Sequence, residues 1–194
     1  MGNRAGYCLI ELAAAMGISA TIAAAAIPQL LATVDDSRAL GAARYISSRL
    51  YDTRMEALVR STNIAMRFGL NGSVYEYTVY QDGNGNGVLA RDIRSGADVP
   101  IRPAERLPER FGGVDFGALP GLPPVDPSGT APGSDPIRLG ASDMVSFTAA
   151  GVCTTGTLYI HGKGSAQYAV VIYGDTGRIR VLKYHSQRAQ WRPL

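Results

Sequence analysis

The first long hydrophobic pattern in the chain has no polar face. From Leu12 to Val34 no side chain is ionisable; Glu11 stands at the head of the run and Asp35 at its end. This length matches the roughly 20 apolar residues a helix needs to cross a bilayer core, so the expectation is a membrane-spanning helix. From Asp35 to about Ser61 the pattern changes. Leu40, Ala43, Ile46, Leu50 and Ala57 recur on one helical stripe, with Arg38, Arg49, Asp52, Glu56 and Arg60 largely off it. The helix is therefore expected to continue outside the membrane as one element from Tyr7 to Arg60, roughly 80 Å long at 1.5 Å per residue.

Beyond it the period switches to two. Ile64–Phe68 and Val74–Tyr80 read as strands, the second alternating residue by residue. The loop Asp82-Gly83-Asn84-Gly85-Asn86-Gly87 has oxygen-bearing side chains at alternate positions, like the front of a calcium loop. Ile93 stands where the far end would need a bidentate acid, so the segment is read as a glycine-rich hairpin turn. If calcium were bound, Asp82, Asn84 and Asn86 would be the ligands. Between about 100 and 136 prolines and glycines are dense, which predicts an irregular, partly mobile insertion. From Met144 to Tyr184, runs of Val, Ile, Tyr and Thr punctuated by glycine predict three or four further strands.

A chain of 194 residues allows one span and one modest globular domain. The net charge of +3 is too small to imply nucleic acid or anionic lipid by itself, but its distribution is uneven. From Gly151 to Leu194 the cations Lys163, Arg178, Arg180, Lys183, Arg188 and Arg192 face a single acid, Asp175. On a strand, Arg178 and Arg180 share one face and Ile179 and Val181 the other. Cys8 and Cys153 are badly placed for a mutual disulfide, and Cys8 is read as a packing residue. His161 and His185 are the only histidines, and neither has a metal-ligand neighbour at useful spacing. No metal site, cofactor or catalytic constellation is expected, and the chain is read as a protein that is not an enzyme.

A secretory signal would place a small-residue cleavage site after the apolar core. Here the processing-like site, Ala5-Gly6, precedes it, so the apolar segment is expected to be retained. The leader MGNRAG, followed by Tyr7-Cys8-Leu9-Ile10-Glu11, resembles the class III signal of type IV prepilins and pseudopilins. The resemblance implies cleavage after Gly6 by a membrane prepilin peptidase, N-methylation of Tyr7, and an assembly role for Glu11. Pro28 falls where the family commonly has a helix-bending proline. Tyr7 and Leu9 depart from the usual Phe and Thr. The stretch Leu50–Ala57 is similar to the L-x-x-A-R-x-E-A pattern of the GspH/FimT branch, with Thr53 in place of the common Ala, and its meaning is read as helix packing with Glu56 and Arg60 as an i,i+4 pair. Phe147, Gly151, Gly156-Thr157-Leu158, Val170–Ile172 and Gly177–Val181 resemble the C-terminal half of that domain.

The fold class implied is α+β and type IV pilin-like: a long N-terminal helix packed on a C-terminal antiparallel β domain. Its parts would be a leader at 1–6, a transmembrane or filament-core helix at 7–34, an amphipathic continuation at 35–61 and a β domain at 62–194. A carboxylate in hydrocarbon costs several kcal/mol. Cleavage after Gly6 would create a cation, the amine of Tyr7, within a helical turn of Glu11, to pair with it or with Glu11 of a neighbouring subunit. The resemblance implies a minor pseudopilin that helps initiate or cap the pseudopilus of a type II secretion system or a type IV pilus. It would be single-pass in the bacterial inner membrane, with its β domain periplasmic, an orientation that Arg4 before the span fits. Expected partners are other pseudopilins or pilins, the prepilin peptidase and the inner-membrane assembly platform. The alternative is a FimT-type DNA-binding minor pilin in natural transformation. Arg178, Arg180, Lys183, Arg188 and Arg192 would then track phosphates, and Tyr184 or Trp191 would stack on bases.

Overall fold

One 52-residue helix, α1 (Leu9–Arg60), leads into a succession of short strands in the computed structural model, which describes residues 9–127 and 129–194. The chain divides into two compact units at Val34 and Asp35. In the described part of the first, Leu9–Val34, every residue is exposed. Its three hydroxyls, on Ser19, Thr21 and Thr33, each donate to a carbonyl one turn back in the same helix. That leaves no hydroxyl proton without an acceptor in an apolar medium. Pro28 lies within the helix, which runs through it unbroken.

In the second unit, α1 packs on two antiparallel sheets, giving the α+β arrangement expected from the patterning. The first sheet is built on β1 (Ile64–Asn71) and β2 (Val74–Gln81), joined by a tight turn whose Gly72 takes φ +66°, a value that strains residues with a Cβ. After β2, a connection carries the helix α2 (Ala90–Ser95) and returns as β3 (Val99–Pro100), which pairs with the end of β2. The tight hairpin turn expected after Gln81 is thus a long connection. The reason is Asp98, buried in the return path, whose carboxylate accepts N–H bonds from Gly83 and Leu89 and holds the connection closed at its base.

The proline- and glycine-rich insertion contains β4 (Glu105–Arg106), α3 (Leu107–Arg110), β5 (Asp115–Phe116) and β6 (Ile137–Arg138). The chain closes with β7 (Met144–Phe147), the long strands β8 (Gly156–His161) and β9 (Gln167–Tyr173), and β10 (Arg178–His185), followed after one 3₁₀ turn by β11 (Gln190–Pro193). The first sheet runs β3-β2-β1-β7, with β4 also on β2. The second runs β11-β10-β9-β8-β5, with β6 also on β8.

Central strands explain the runs that do not alternate. β9 is buried from Gln167 to Ile172 because both of its faces are covered. Tyr168, Val170 and Ile172 join the core under α1, while Ala169 and Val171 pack with Leu122, Tyr159 and Leu182 on the opposite face. The cover on that opposite face is the insertion itself. Leu119, Leu122 and Val125 lie on it, the Trp191 indole N–H donates to Pro123 O at 3.0 Å, and buried Gln167 bonds Leu119 N and Gly117 O. The segment expected to be partly mobile is therefore packed in its middle, because its few apolar side chains have a strand face to cover.

The outer half of α1 buries Ala39, Ala42, Ala43, Ile46, Leu50, Thr53 and Ala57. Leu40, placed on this stripe by the sequence pattern, is only partly buried beside it. The two flanks of the stripe carry polar contacts to different sheets. Toward the first sheet, Tyr45 and Arg49 bond the Glu105 carboxylate, Glu56 pairs with Arg102 at 2.7 Å, and Arg60 pairs with Glu56 at 2.6 Å. Toward the second, Asp36 accepts from Tyr168 and Lys183, and Arg54 donates to the carbonyls of Gly151 and Gly177 at 3.1 and 3.2 Å. The L-x-x-A-R-x-E-A stretch thereby acquires a physical reading. Leu50, Thr53 and Ala57 face the core, Arg54 clasps the β7–β8 connection and the β9–β10 turn, and Glu56 reaches Arg102 beside the first sheet. A side chain at Gly177, which has φ +62°, would fall 2.5 Å from the Arg54 guanidinium carbon.

Arg54→Ala leaves two loop carbonyls without their charged donor and is expected to destabilise the protein by about 1–3 kcal/mol. Urea unfolding of the detergent-solubilised chain, followed by Trp191 fluorescence, checks this, and an unchanged midpoint would contradict the clasp. A second expectation concerns pH. Burial pushes the Glu105 carboxyl up, but the Tyr45 hydroxyl, the Arg49 charge and the Tyr77 hydroxyl outweigh it and leave the group below the ordinary carboxylate range. Its stabilisation is therefore present above the unfolded-state pKa of about 4.3 and is lost as pH falls through the lower folded-state value. The stability gap between the native chain and Glu105→Gln should be widest near neutral pH and shrink below about pH 4. A gap that grows on acidification would refute this assignment.

Candidate functional site

Two surfaces carry the candidate chemistry. The first is the inner half of α1. Glu11 lies in the first turn of the described helix. Around and beyond it Ile10, Leu12, Met16, Ile18, Ile22 and Leu30 are all more than half exposed, on every side of the helix. This is the one described helix long and apolar enough to cross a membrane, with a mean hydropathy of 1.8 over its most apolar window. Pro28 withholds one backbone N–H in this segment. Gly6, Tyr7 and Cys8 lie outside the described residues.

The second surface is the start of β10. Arg178 and Arg180 are exposed and Ile179 is buried between them, so the two arginines share a face. On the side of β10 away from β9, the strand β11 covers only Leu182–His185. Ahead of it the Tyr51 hydroxyl of α1 bonds both the N–H and the carbonyl of Ile179 at 3.2 Å. That contact brings Arg44, Ser47 and Tyr51 of the helix to the same recess as Arg178 and Arg180. The sequence reading missed Arg44, although its i,i+3,i+7 relation to Ser47 and Tyr51 put the three on one helix face. Nothing in the sequence says which strand that face meets.

The other expected members of the basic track are dispersed. Lys183 is in an ion pair with Asp36 at 2.7 Å, Arg188 sits on the 3₁₀ turn, and Arg192 is opposite Lys183 on β11. Tyr184 and Trp191 are cross-strand neighbours with rings 5.2 Å apart, and Trp191 also packs on Tyr159. Both aromatic side chains are half-buried in these contacts.

In the connection after β2, Asp82 is buried and its carboxylate accepts from the backbone of Asn84, Gly85 and Gly87 and from the Asn63 amide. Burial raises its pKa, but these donors together hold it below the ordinary carboxylate range. Asn84 and Asn86 direct their amide nitrogens to Asp92 at 3.3 and 2.9 Å. Among the described residues no three His, Cys, Asp or Glu side chains cluster to hold a metal ion. His161 bonds its ring Nδ1 to Gly162 O at 2.6 Å, and Cys153 is a buried thiol whose pKa burial pushes up.

No family model matches the chain, and no curated protein matches it. Among solved structures, the chain is similar to two of the minor pseudopilin EpsH from the type II secretion system of Vibrio cholerae. The first is 17% identical with a TM-score of 0.47, covering 75% of this chain and 97% of that one. The second is 16% identical with a TM-score of 0.45, covering 75% of this chain and 94% of that one.

Proposed function

We propose that the chain is a minor pseudopilin: a structural subunit held in the bacterial inner membrane by the inner half of α1, with residues 35–194 on the periplasmic side. It helps to initiate or cap the pseudopilus of a type II secretion system or a type IV pilus. The observation that carries this reading is the division of labour within a single helix. α1 is apolar and exposed on all sides up to Val34, then becomes the buried core helix of a β domain without a break. A helix shaped only to complete a globular core has no use for an uncovered apolar half, whereas a subunit that moves from bilayer to filament needs one apolar surface compatible with both lipid and neighbouring helices.

The leader supports the same reading through its chemistry. Cleavage after Gly6 generates an amine at Tyr7, and Glu11 is one helical turn further on. An ammonium and a carboxylate at that spacing neutralise each other within a subunit or between neighbours, which allows the helix tip to enter an apolar assembly. Partners under this proposal are the prepilin peptidase, the other pseudopilins or pilins and the membrane assembly platform.

Membrane fractionation, crosslinking to neighbouring pilins and mass spectrometry of the N-terminus test the proposal. The native chain should begin at N-methylated Tyr7, and Gly6→Val should retain the leader. Glu11→Ala should stay membrane-inserted but lose about tenfold in crosslinking yield, the effect of about 1.4 kcal/mol of lost pairing. Crosslinking at the native level in Glu11→Ala would refute the charge pairing. A mature Tyr7 terminus in Gly6→Val would refute the cleavage site.

A further inference from the structure

The recess between α1 and β10 encloses about 520 Å³ and is lined on the helix side by Arg44, Ser47 and Tyr51 and on the strand side by Arg178 and Arg180. Ile179, Val181, Pro193 and Leu194 complete the lining, which contains no acidic side chain. None of the three guanidiniums takes part in an ion pair or side-chain hydrogen bond among the described residues, and all three side chains are exposed. This contrasts with the rest of the α1 rim, where Arg49, Arg54, Arg60 and Arg102 are each bonded to a carboxylate or a carbonyl. The recess is also built. The Tyr51 hydroxyl ties its helix wall to Ile179, and Leu194 N–H donates to Val181 O at 3.2 Å along the same strand.

We propose that this recess is a carboxylate-binding site that receives an acidic peptide segment of a partner protein. All of its walls lie within residues 35–194, so the proposal stands independently of the membrane reading. Three arginines border the recess, Arg44 from the helix and Arg178 and Arg180 from the edge of β10 on the face opposite Ile179, and they suit planar, two-pronged anions, because each guanidinium presents a rigid fork matched to a carboxylate. The Ser47 hydroxyl adds a neutral donor at the helix wall. The geometry favours peptide over nucleic acid for two reasons. Non-specific binding of a duplex rests on a long track of phosphate contacts, whereas here the cation next along β10, Lys183, is neutralised by Asp36. Stacking along a single strand needs a succession of open aromatic faces, whereas Tyr184 and Trp191 are packed together and leave Tyr51 as the one aromatic side chain lining the recess. What remains is a short, concentrated positive recess of the size that holds a few side chains.

Fluorescence anisotropy of labelled hexaglutamate against the full chain in detergent micelles tests this, with an unlabelled duplex DNA and inorganic phosphate as competitors. Hexaglutamate should bind at low salt and weaken as salt rises. Arg178→Gln with Arg180→Gln, and separately Arg44→Gln, should each weaken binding by at least about tenfold. Arg188→Gln with Arg192→Gln removes the same charge outside the recess and should leave binding within about twofold. Arg178→Lys with Arg180→Lys keeps the charge but loses the forks and should still weaken binding severalfold, which separates fork recognition from bulk charge. Absence of binding at low salt would overturn the proposal, as would equal losses from the two Gln pairs. Tighter binding of the duplex, lost in the same recess variants, would also overturn it and make the recess a nucleic-acid site.

Discussion

Burial of one stripe of α1 against both sheets is the contact on which the domain depends. Ala39, Ala42, Ala43, Ile46, Leu50 and Ala57 are fully buried, and the same cluster takes in side chains from β1, β2, β7, β8, β9 and β10. Neither sheet buries its inner face without the helix, and Leu107, Phe111 and Val114 of the insertion add to the cover of the same cluster. Small residues dominate the first turns of the stripe, where their short side chains let the backbone lie close to its cover. Hydrophobic contact alone does not set how far the helix is rotated. The two polar flanks do, Arg49 and Glu56 on one side and Asp36 and Arg54 on the other, because each pair engages a different sheet and rotation would break one set to keep the other.

Asp35 and Asp36 show how closely this anchoring follows the apolar segment. Asp35 accepts the backbone N–H groups of Lys163 and Gly164 in the β8–β9 turn at 2.7 and 2.9 Å, and any side chain at Gly162 would collide with its carboxylate. Asp36 accepts from Tyr168 and Lys183 at 2.9 and 2.7 Å. The first two charges after the apolar run are thus consumed in fixing the start of the globular unit. A proposed membrane or filament segment ends and an anchored domain begins within a single turn of helix.

The basic surface illustrates how pairing reshapes a charge pattern. Six cations and one acid in the last stretch of sequence suggest a continuous track. Folding brings in an acid from elsewhere, Asp36, to silence Lys183, and a cation from elsewhere, Arg44, to join Arg178 and Arg180. The charge gathered at this recess is consequently drawn from two distant parts of the chain, which the sequence order does not show.

The long helix, its change of character at Asp35, the strands β1 and β2 and the exposed faces of Arg178 and Arg180 were legible in the sequence. Each rests on a local periodicity, 3.6 or 2 residues, that the backbone imposes regardless of context. The Glu56–Arg60 pair was legible for the same reason, since i,i+4 neighbours on a helix meet wherever the helix lies. Other features were decided by the tertiary structure alone: the return of the chain through α2 and β3 around buried Asp98, the packing of Leu119, Leu122 and Val125 over β9, the clasp of Arg54 on Gly151 and Gly177, and the recess shared by Arg44 and Arg178. All of these join residues far apart along the chain. Side-chain pattern tells which face of an element is apolar or charged, but which other face it meets depends on the closure of two sheets around one helix.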